Sequence, residues 1–173
     1  MTRAVRIGGA SGFWGDSAIA TPQLLRVPGL QYLVYDYLAE TTMSILARAR
    51  AKDPALGYAT DFVHAAMAPN LGAICAGGVR VIANAGGLNP EACRDALSAV
   101  ARQQGLAPRI AVVTGDDLMP QFEALRAQGL RDLHTGEAPP AGLYSANAYV
   151  GARGIAQALA LGADIVITGR CVD

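Results

Sequence analysis

The chain is poor in aromatic residues, cysteine, histidine and lysine, and it contains no long apolar run. Aromatics make up 6% of its 173 positions against 52% hydrophobic residues, with alanine and glycine abundant. That balance favours close helix-on-sheet packing over an aromatic-rich β-sandwich. Cys75, Cys93 and Cys171 are odd in number and lack paired spacing, which excludes a disulfide framework or zinc knuckle as the organising device. His64 and His134 are the only histidines, and neither has a carboxylate at metal-ligand spacing, so a histidine-based metal site is not expected. No stretch reaches the length that spans a bilayer. Residues 1–7 lead directly into a strand pattern without the apolar run of a signal peptide, so a reducing cytoplasm is the expected compartment.

The 14 basic and 14 acidic residues balance to a net charge of zero, and no basic run occurs. Neither nucleic acid nor an anionic membrane is an expected partner. Lys52 is the only lysine, which removes most candidates for lysine chemistry. The length suits one well-cored domain, 1–173.

Short continuous apolar runs at residues 5–8, 30–37, 79–83, 109–114 and 163–168 read as strands, and helical patterns separate them. The clearest helix begins at Pro90 and carries Cys93, Leu97, Val100 and Ala101 on one face, with Gly105 as its stop. Asn89 is its expected cap and Pro90 its first residue. Thr41 or Thr42, Asp61 and Asp117 are the expected caps of other helices, and the last helix is expected over 149–161. The order β-α-β-α-α-β-α-β-α-β predicts an α/β fold: a mostly parallel sheet flanked by helices, Rossmann-like and doubly wound. Residues 130–147 show no strong periodicity and are long for a βα connection, as lids and binding loops are. The chain stops directly after a buried-type strand, which reads as the N-terminal part of a longer chain.

Parallel strands present their C-terminal ends on one edge, where ligands bind. Here those ends carry Ser11 and Gly12, Asp36 and Glu40, Asn84, Gly86, Gly87 and Asn89, Asp116, and Arg170. Asn147 and Tyr149 follow the long loop and can close over the same edge. Amides, carboxylates and helix N-termini converging in this way suit an enolate or oxyanion. Asn84 and the Gly86–Gly87 backbone would hold oxygen, Asp36, Glu40 or Asp116 would act as base or metal ligand, and Arg170 would hold a carboxylate or phosphate. Gly9-x-x-Gly12-x-x-Gly15, with Asp36 downstream, also invites a dinucleotide-binding reading. Against it, Lys52 has no tyrosine four residues before it, as a short-chain dehydrogenase would require.

Several segments occur in an order that carries a family resemblance. They are Gly9-Ala10-Ser11-Gly12-Phe13-Trp14-Gly15-Asp16, Tyr35-Asp36-Tyr37-Leu38-Ala39-Glu40, Gly57-Tyr58-Ala59-x-Asp61-Phe62-Val63 and Asn84-Ala85-Gly86-Gly87-Leu88-Asn89-Pro90. Thr114-Gly115-Asp116-Asp117, Asn147-Ala148-Tyr149-Val150-Gly151-Ala152 and Ile167-Thr168-Gly169-Arg170-Cys171-Val172-Asp173 follow. Together they resemble the N-terminal domain of the acyclic terpene utilisation family, AtuA type. The resemblance implies a bacterial cytoplasmic protein of citronellol- or geraniol-type catabolism, with a small-molecule substrate such as a coenzyme A thioester. It also implies a small ferredoxin-like partner module, and leaves the cofactor unknown and a homo-oligomer open. The leading expectation is an enzyme domain of lyase or hydratase type acting on a carbonyl or acyl-CoA-type intermediate. The alternatives are an NAD(P)-dependent oxidoreductase and a non-catalytic subunit of a pathway complex.

Overall fold

The computed structural model describes residues 4–172. Five strands form one open, all-parallel sheet: β1 (Ile7–Ser11), β2 (Tyr32–Tyr35), β3 (Arg80–Ala83), β4 (Ile110–Val113) and β5 (Ile165–Thr168). Their order is β1-β2-β3-β5-β4. The helices are α1 (Ala20–Leu24), α2 (Glu40–Lys52), α3 (Leu71–Gly77), α4 (Pro90–Gln103), α5 (Phe122–Ala127) and α6 (Arg153–Ala160). The α/β parallel architecture read from the sequence is therefore present.

The strand order determines which faces are covered. Progress from β1 through β3 to β4 runs in one direction, and only the step from β4 to β5 runs back. Because parallel crossovers are right-handed, the reversed step places its helix on the opposite face from the others. Accordingly Leu33, Tyr35, Val81, Ala83, Ile165 and Ile167 join a core with Cys93, Leu97 and Ala101 of α4. Val166 points the other way, is fully buried, and lies on the face where α6 packs on β4 and β5. Beyond α6 the second face is less covered: Val34 and Ile82 are half-buried, and Ile7 is exposed. The sequence reading expected helices on both faces, and the single reversal explains why that covering is partial.

Local chemistry accounts for most element boundaries. Asn89 caps α4 by accepting from Ala92 N, and Pro90 occupies the first turn as anticipated. Pro69 separates a π-helical segment, Phe62–Met67, from α3, as a missing N–H and a ring clash require. Three expected caps are corrected. Asp117 accepts Met119 N–H at 2.9 Å, but Leu118 and not Asp117 precedes the 3-10 turn Met119–Gln121 that leads into α5. Helix α2 begins at Glu40, before Thr41 and Thr42, and no side chain caps it. Asp61 stands at the start of the π-helical segment without making a cap bond. Helix α6 starts at Arg153, not near Tyr149, because residues 147–150 bridge to the sheet edge instead.

The turn after β3 is closely packed. A Cβ on Gly86 would lie 2.6 Å from both the Pro90 ring and the Thr168 carbonyl oxygen. At Gly87, whose φ is +53°, a Cβ would meet Leu46 at 2.5 Å and the Gly57 oxygen at 2.8 Å. Gly86 N–H donates to Thr168 O at 3.0 Å, which ties the ends of β3 and β5 together.

Gly86→Ala is therefore expected to destabilise the fold by about 2 kcal/mol or more, since backbone atoms must move. Gly72→Ala, in α3 with nothing within 4 Å of its added methyl, is expected to stabilise it by about 0.5–1 kcal/mol. Urea unfolding followed by Trp14 fluorescence checks both, and midpoints shifting in the same direction would contradict this packing account.

Candidate functional site

The direction of winding reverses at the step from β4 to β5, and parallel sheets bind ligands outside the C-terminal ends of their strands near such a reversal. The structure divides the polar residues of this edge into two groups with different duties.

The first group ties strands together. Asn84 is buried, donates through Nδ2 to Asp36 Oδ1 at 2.6 Å, and accepts from Tyr37 N–H at 2.7 Å. Ser11 Oγ donates its one proton to Phe13 O at 2.9 Å and lies 3.3 Å from Asp36 O, while Asp36 N–H donates to Ser11 O at 3.1 Å. The N–H groups of Gly86 and Gly87 donate to Thr168 O and Asn84 O. Asn89 also binds the carbonyls of Pro54 and Leu56, both at 2.9 Å. The groups expected to hold a ligand oxygen thus satisfy chain atoms, as buried polar groups must. Beneath them Tyr35, Tyr37 and Phe62 form a ring cluster with centroids 5.3–6.1 Å apart. Burial pushes the Tyr35 phenol up to about 12, despite its bond with the Thr21 hydroxyl.

The second group encloses space. Asp116, buried at the end of β4, accepts Arg170 N–H at 2.8 Å and Asn147 Nδ2 at 2.9 Å through one oxygen. Its carbonyl accepts Ala148 N–H at 2.7 Å, and Leu118 N–H donates to Ala146 O at 2.8 Å. Isolated bridges join Asp117 to Asn147 and Val150 to Cys171. The end of the long loop is thereby fastened across β4 and β5. Gly169 permits this, since a Cβ there would collide with the Asp116 carboxylate.

Arg170 then points toward α2. Its guanidinium donates to Leu38 O, to Glu40 Oε1 at 3.0 Å and to Tyr149 Oη at 2.8 Å. Tyr149 Oη donates in turn to Glu40 Oε1 at 2.7 Å, and the guanidinium carbon lies 4.5 Å from the Tyr149 ring centroid. The phenol's hydrogen bond, with help from the Arg170 charge, holds Glu40 below the ordinary carboxylate range. These three residues form the polar end of a cavity of about 360 Å³. Met43 and Ala47 of α2, with Leu143 and Tyr144 of the loop, supply its apolar wall, and Asn147 and Ser145 also face it. A neighbouring cavity of about 350 Å³ shares Ala47 and Tyr144.

Sequence reasoning identified Glu40, Asn147, Tyr149 and Arg170 but missed Met43, Ser44, Ala47, Gly142 and Leu143. The i,i+4 pair Met43 and Ala47 reads as ordinary helix core, and only the aperiodic loop hinted at a covering segment. A groove of about 460 Å³ runs along the edge strand β4 and α6, lined by Ile110, Val112, Gln157 and Leu161 among others. It follows the whole of β4, from Arg109 to Thr114, and has no carboxylate in its lining.

The glycine-rich loop after β1 is not arranged as a pyrophosphate cradle. Asp16 Oδ2 accepts Gly12 N–H at 3.0 Å and Asp16 Oδ1 accepts Ser17 N–H at 2.7 Å. These bonds hold the Asp16 carboxyl below its ordinary range. A carboxylate of the chain thus occupies the donors that a phosphate would need. Helix α1 starts only at Ala20, is five residues long and has no side-chain cap. The strand order also places β1 at an edge instead of the sheet centre. His64 and His134 are exposed, and Cys93 is fully buried, which pushes its thiol up. Among the described residues no group of three histidine, cysteine or carboxylate side chains could hold a metal ion, and no helix is long and apolar enough to cross a membrane.

Because Glu40 is held low chiefly by the phenol, its carboxyl should titrate below the usual glutamate midpoint in the native chain and move upward in Tyr149→Phe. Carbon-13 NMR of the glutamate carboxyls measures this. The sign for stability follows: the latch contributes fully above the unfolded glutamate pKa and is lost as pH falls through the lowered folded value. An unmoved Glu40 midpoint in the phenylalanine variant would contradict the geometry.

Comparison with known proteins bears on which chains share these segments. No curated protein and no solved structure matched. The family described as "Acyclic terpene utilisation family protein AtuA" matches residues 5–173, which spans every strand, the Asp116 anchor and the Arg170 triangle. The chain belongs to the AtuA family of acyclic terpene utilisation proteins.

Proposed function

We propose that this chain binds a small branched carbonyl or acyl compound of acyclic terpene catabolism and acts on it by proton-transfer chemistry of lyase or hydratase type. The observation that supports this reading is the two-ended cavity between α2 and the long loop. Its wall of Met43, Ala47, Leu143 and Tyr144 suits a short branched hydrocarbon. Its other end gathers a phenol, a carboxylate, a guanidinium and the Asn147 amide, which suit a carbonyl oxygen and its neighbouring carbon.

In this reading Asp36 and Asn84 hold the neighbouring strand ends, and Asp116 holds the loop, so that Tyr149, Glu40 and Arg170 face the ligand. Arg170 already donates to Glu40 and Tyr149. A carbonyl, which needs no full countercharge, therefore suits the site better than a free carboxylate would. Arg48 lines the same cavity and is exposed at its rim. It offers a cation to an anionic carrier, such as a coenzyme A thioester presents.

Two substitutions test the reading through titration calorimetry with 3-methylbutanoyl-CoA and its N-acetylcysteamine analogue. Ser44→Phe, at an exposed helix position on the cavity wall, is expected to weaken both compounds by about tenfold, or about 1.4 kcal/mol. Arg48→Ala is expected to weaken only the coenzyme A form, because the short analogue lacks the phosphates. Unchanged affinity of both compounds in Ser44→Phe would place binding elsewhere.

A further inference from the structure

Glu40, Tyr149 and Arg170 close a triangle of hydrogen bonds whose directions are informative. The Tyr149 hydroxyl directs its proton at Glu40 Oε1, 2.7 Å away. The same phenol oxygen receives an N–H from Arg170 at 2.8 Å, and Arg170 reaches the same carboxylate oxygen at 3.0 Å. A phenol works as a base only when its own proton has an acceptor and its phenolate is stabilised. Both conditions are met here: the acceptor is Glu40, and the stabilising group is the guanidinium, which also lies 4.5 Å from the ring centroid.

Exposure is graded across the triangle. The Arg170 side chain is 8% exposed and that of Glu40 80% exposed, and Tyr149 is about half exposed on the cavity wall. The phenol therefore stands between a buried cation and a carboxylate in contact with water. A purely structural latch does not require its outer member to be the solvated one.

We propose that Tyr149 is the proton-transfer residue of this cavity and that Glu40 exchanges the phenol proton with water. The inference rests on the carbonyl-binding reading above. For a ligand carrying hydrogen on the carbon beside its carbonyl, that C–H bond breaks and its electron pair enters the enolate. The proton passes to Tyr149 Oη, while the Tyr149 O–H bond breaks and its proton passes to Glu40 Oε1. The ligand gains one negative charge, Glu40 becomes neutral, and Tyr149 and Arg170 end as they began. Exposed Glu40 then releases the proton to water. The reverse sequence protonates an enolate carbon, and neither direction needs an oxidant or reductant.

The test follows deuterium uptake at the carbon beside the thioester carbonyl of 3-methylbutanoyl-N-acetylcysteamine in D2O by proton NMR. Binding of the same compound is measured in parallel by chemical-shift perturbation. Wild-type protein is expected to bind the compound and accelerate exchange. Tyr149→Phe, compared at saturating compound so that weaker binding does not enter, is expected to lose about 100-fold in exchange rate. Glu40→Gln is expected to lose about tenfold in exchange at saturating compound, with Glu40→Asp restoring part of it. Near-UV circular dichroism establishes that the variants fold, and the exposed Glu40 substitutions provide a second route if the tyrosine variant does not. Wild-type binding without exchange, or wild-type exchange in folded Tyr149→Phe or Glu40→Gln, would overturn the relay and leave the binding reading standing. Absence of binding to the wild-type protein would overturn both.

Discussion

One buried carboxylate holds the C-terminal edge of this sheet together. Asp116 sits at the end of β4 and through a single oxygen takes the backbone N–H of Arg170 and the amide of Asn147. Those partners are 54 and 31 residues away in sequence. A carboxylate this deeply buried is costly unless such donors surround it, so the loop and the end of β5 are held close to it. Everything beyond follows from that placement. With Asn147 fixed, Tyr149 comes over α2, and with the Arg170 backbone fixed, its side chain reaches Leu38, Glu40 and Tyr149. The cavity exists because the loop is fastened at this point and stands away from α2 elsewhere.

The edge contains a division of labour that types of residue alone do not reveal. Asn84, Asp36, Ser11 and the glycines after β3 look like ligand groups, since they are polar and lie at strand ends. In the folded chain they bind one another and the backbone, and so they register β1, β2, β3 and β5. Arg170, Tyr149 and Glu40 also bind one another, but they do so at the rim of empty space. The functional distinction lies in what each hydrogen-bond network borders, and packing determines that.

Much of the fold was legible because its signals are local. The five apolar runs found all five strands, and Asn89–Pro90 marked the start of α4 to the residue. Pro69 correctly divided the helical segment before β3. Covering of the second sheet face was not legible, because it depends on strand order: only the β4-to-β5 step runs back. The start of α6 was misread since Asn147 is a capping type, yet tertiary bonds to Asp116, Arg170 and Val172 hold residues 147–150 in bridges. In the site, Glu40, Tyr149 and Arg170 were individually visible at strand ends and after the loop. Their triangle was not, because it joins residues up to 130 positions apart. The apolar wall was missed for a related reason: Met43 and Ala47 look like core at helical spacing, and only the loop's position shows that they also border a cavity.

The central claim is that the loop fastened by Asp116 creates a carbonyl site at Tyr149. A crystal structure of the complex with 3-methylbutanoyl-CoA tests it most directly. The account predicts the thioester oxygen or its neighbouring carbon within about 3–3.5 Å of Tyr149 Oη, with the branched tail between Met43 and Leu143. The acyl group seated in the groove between β4 and α6, with the Tyr149 cavity empty, would contradict it.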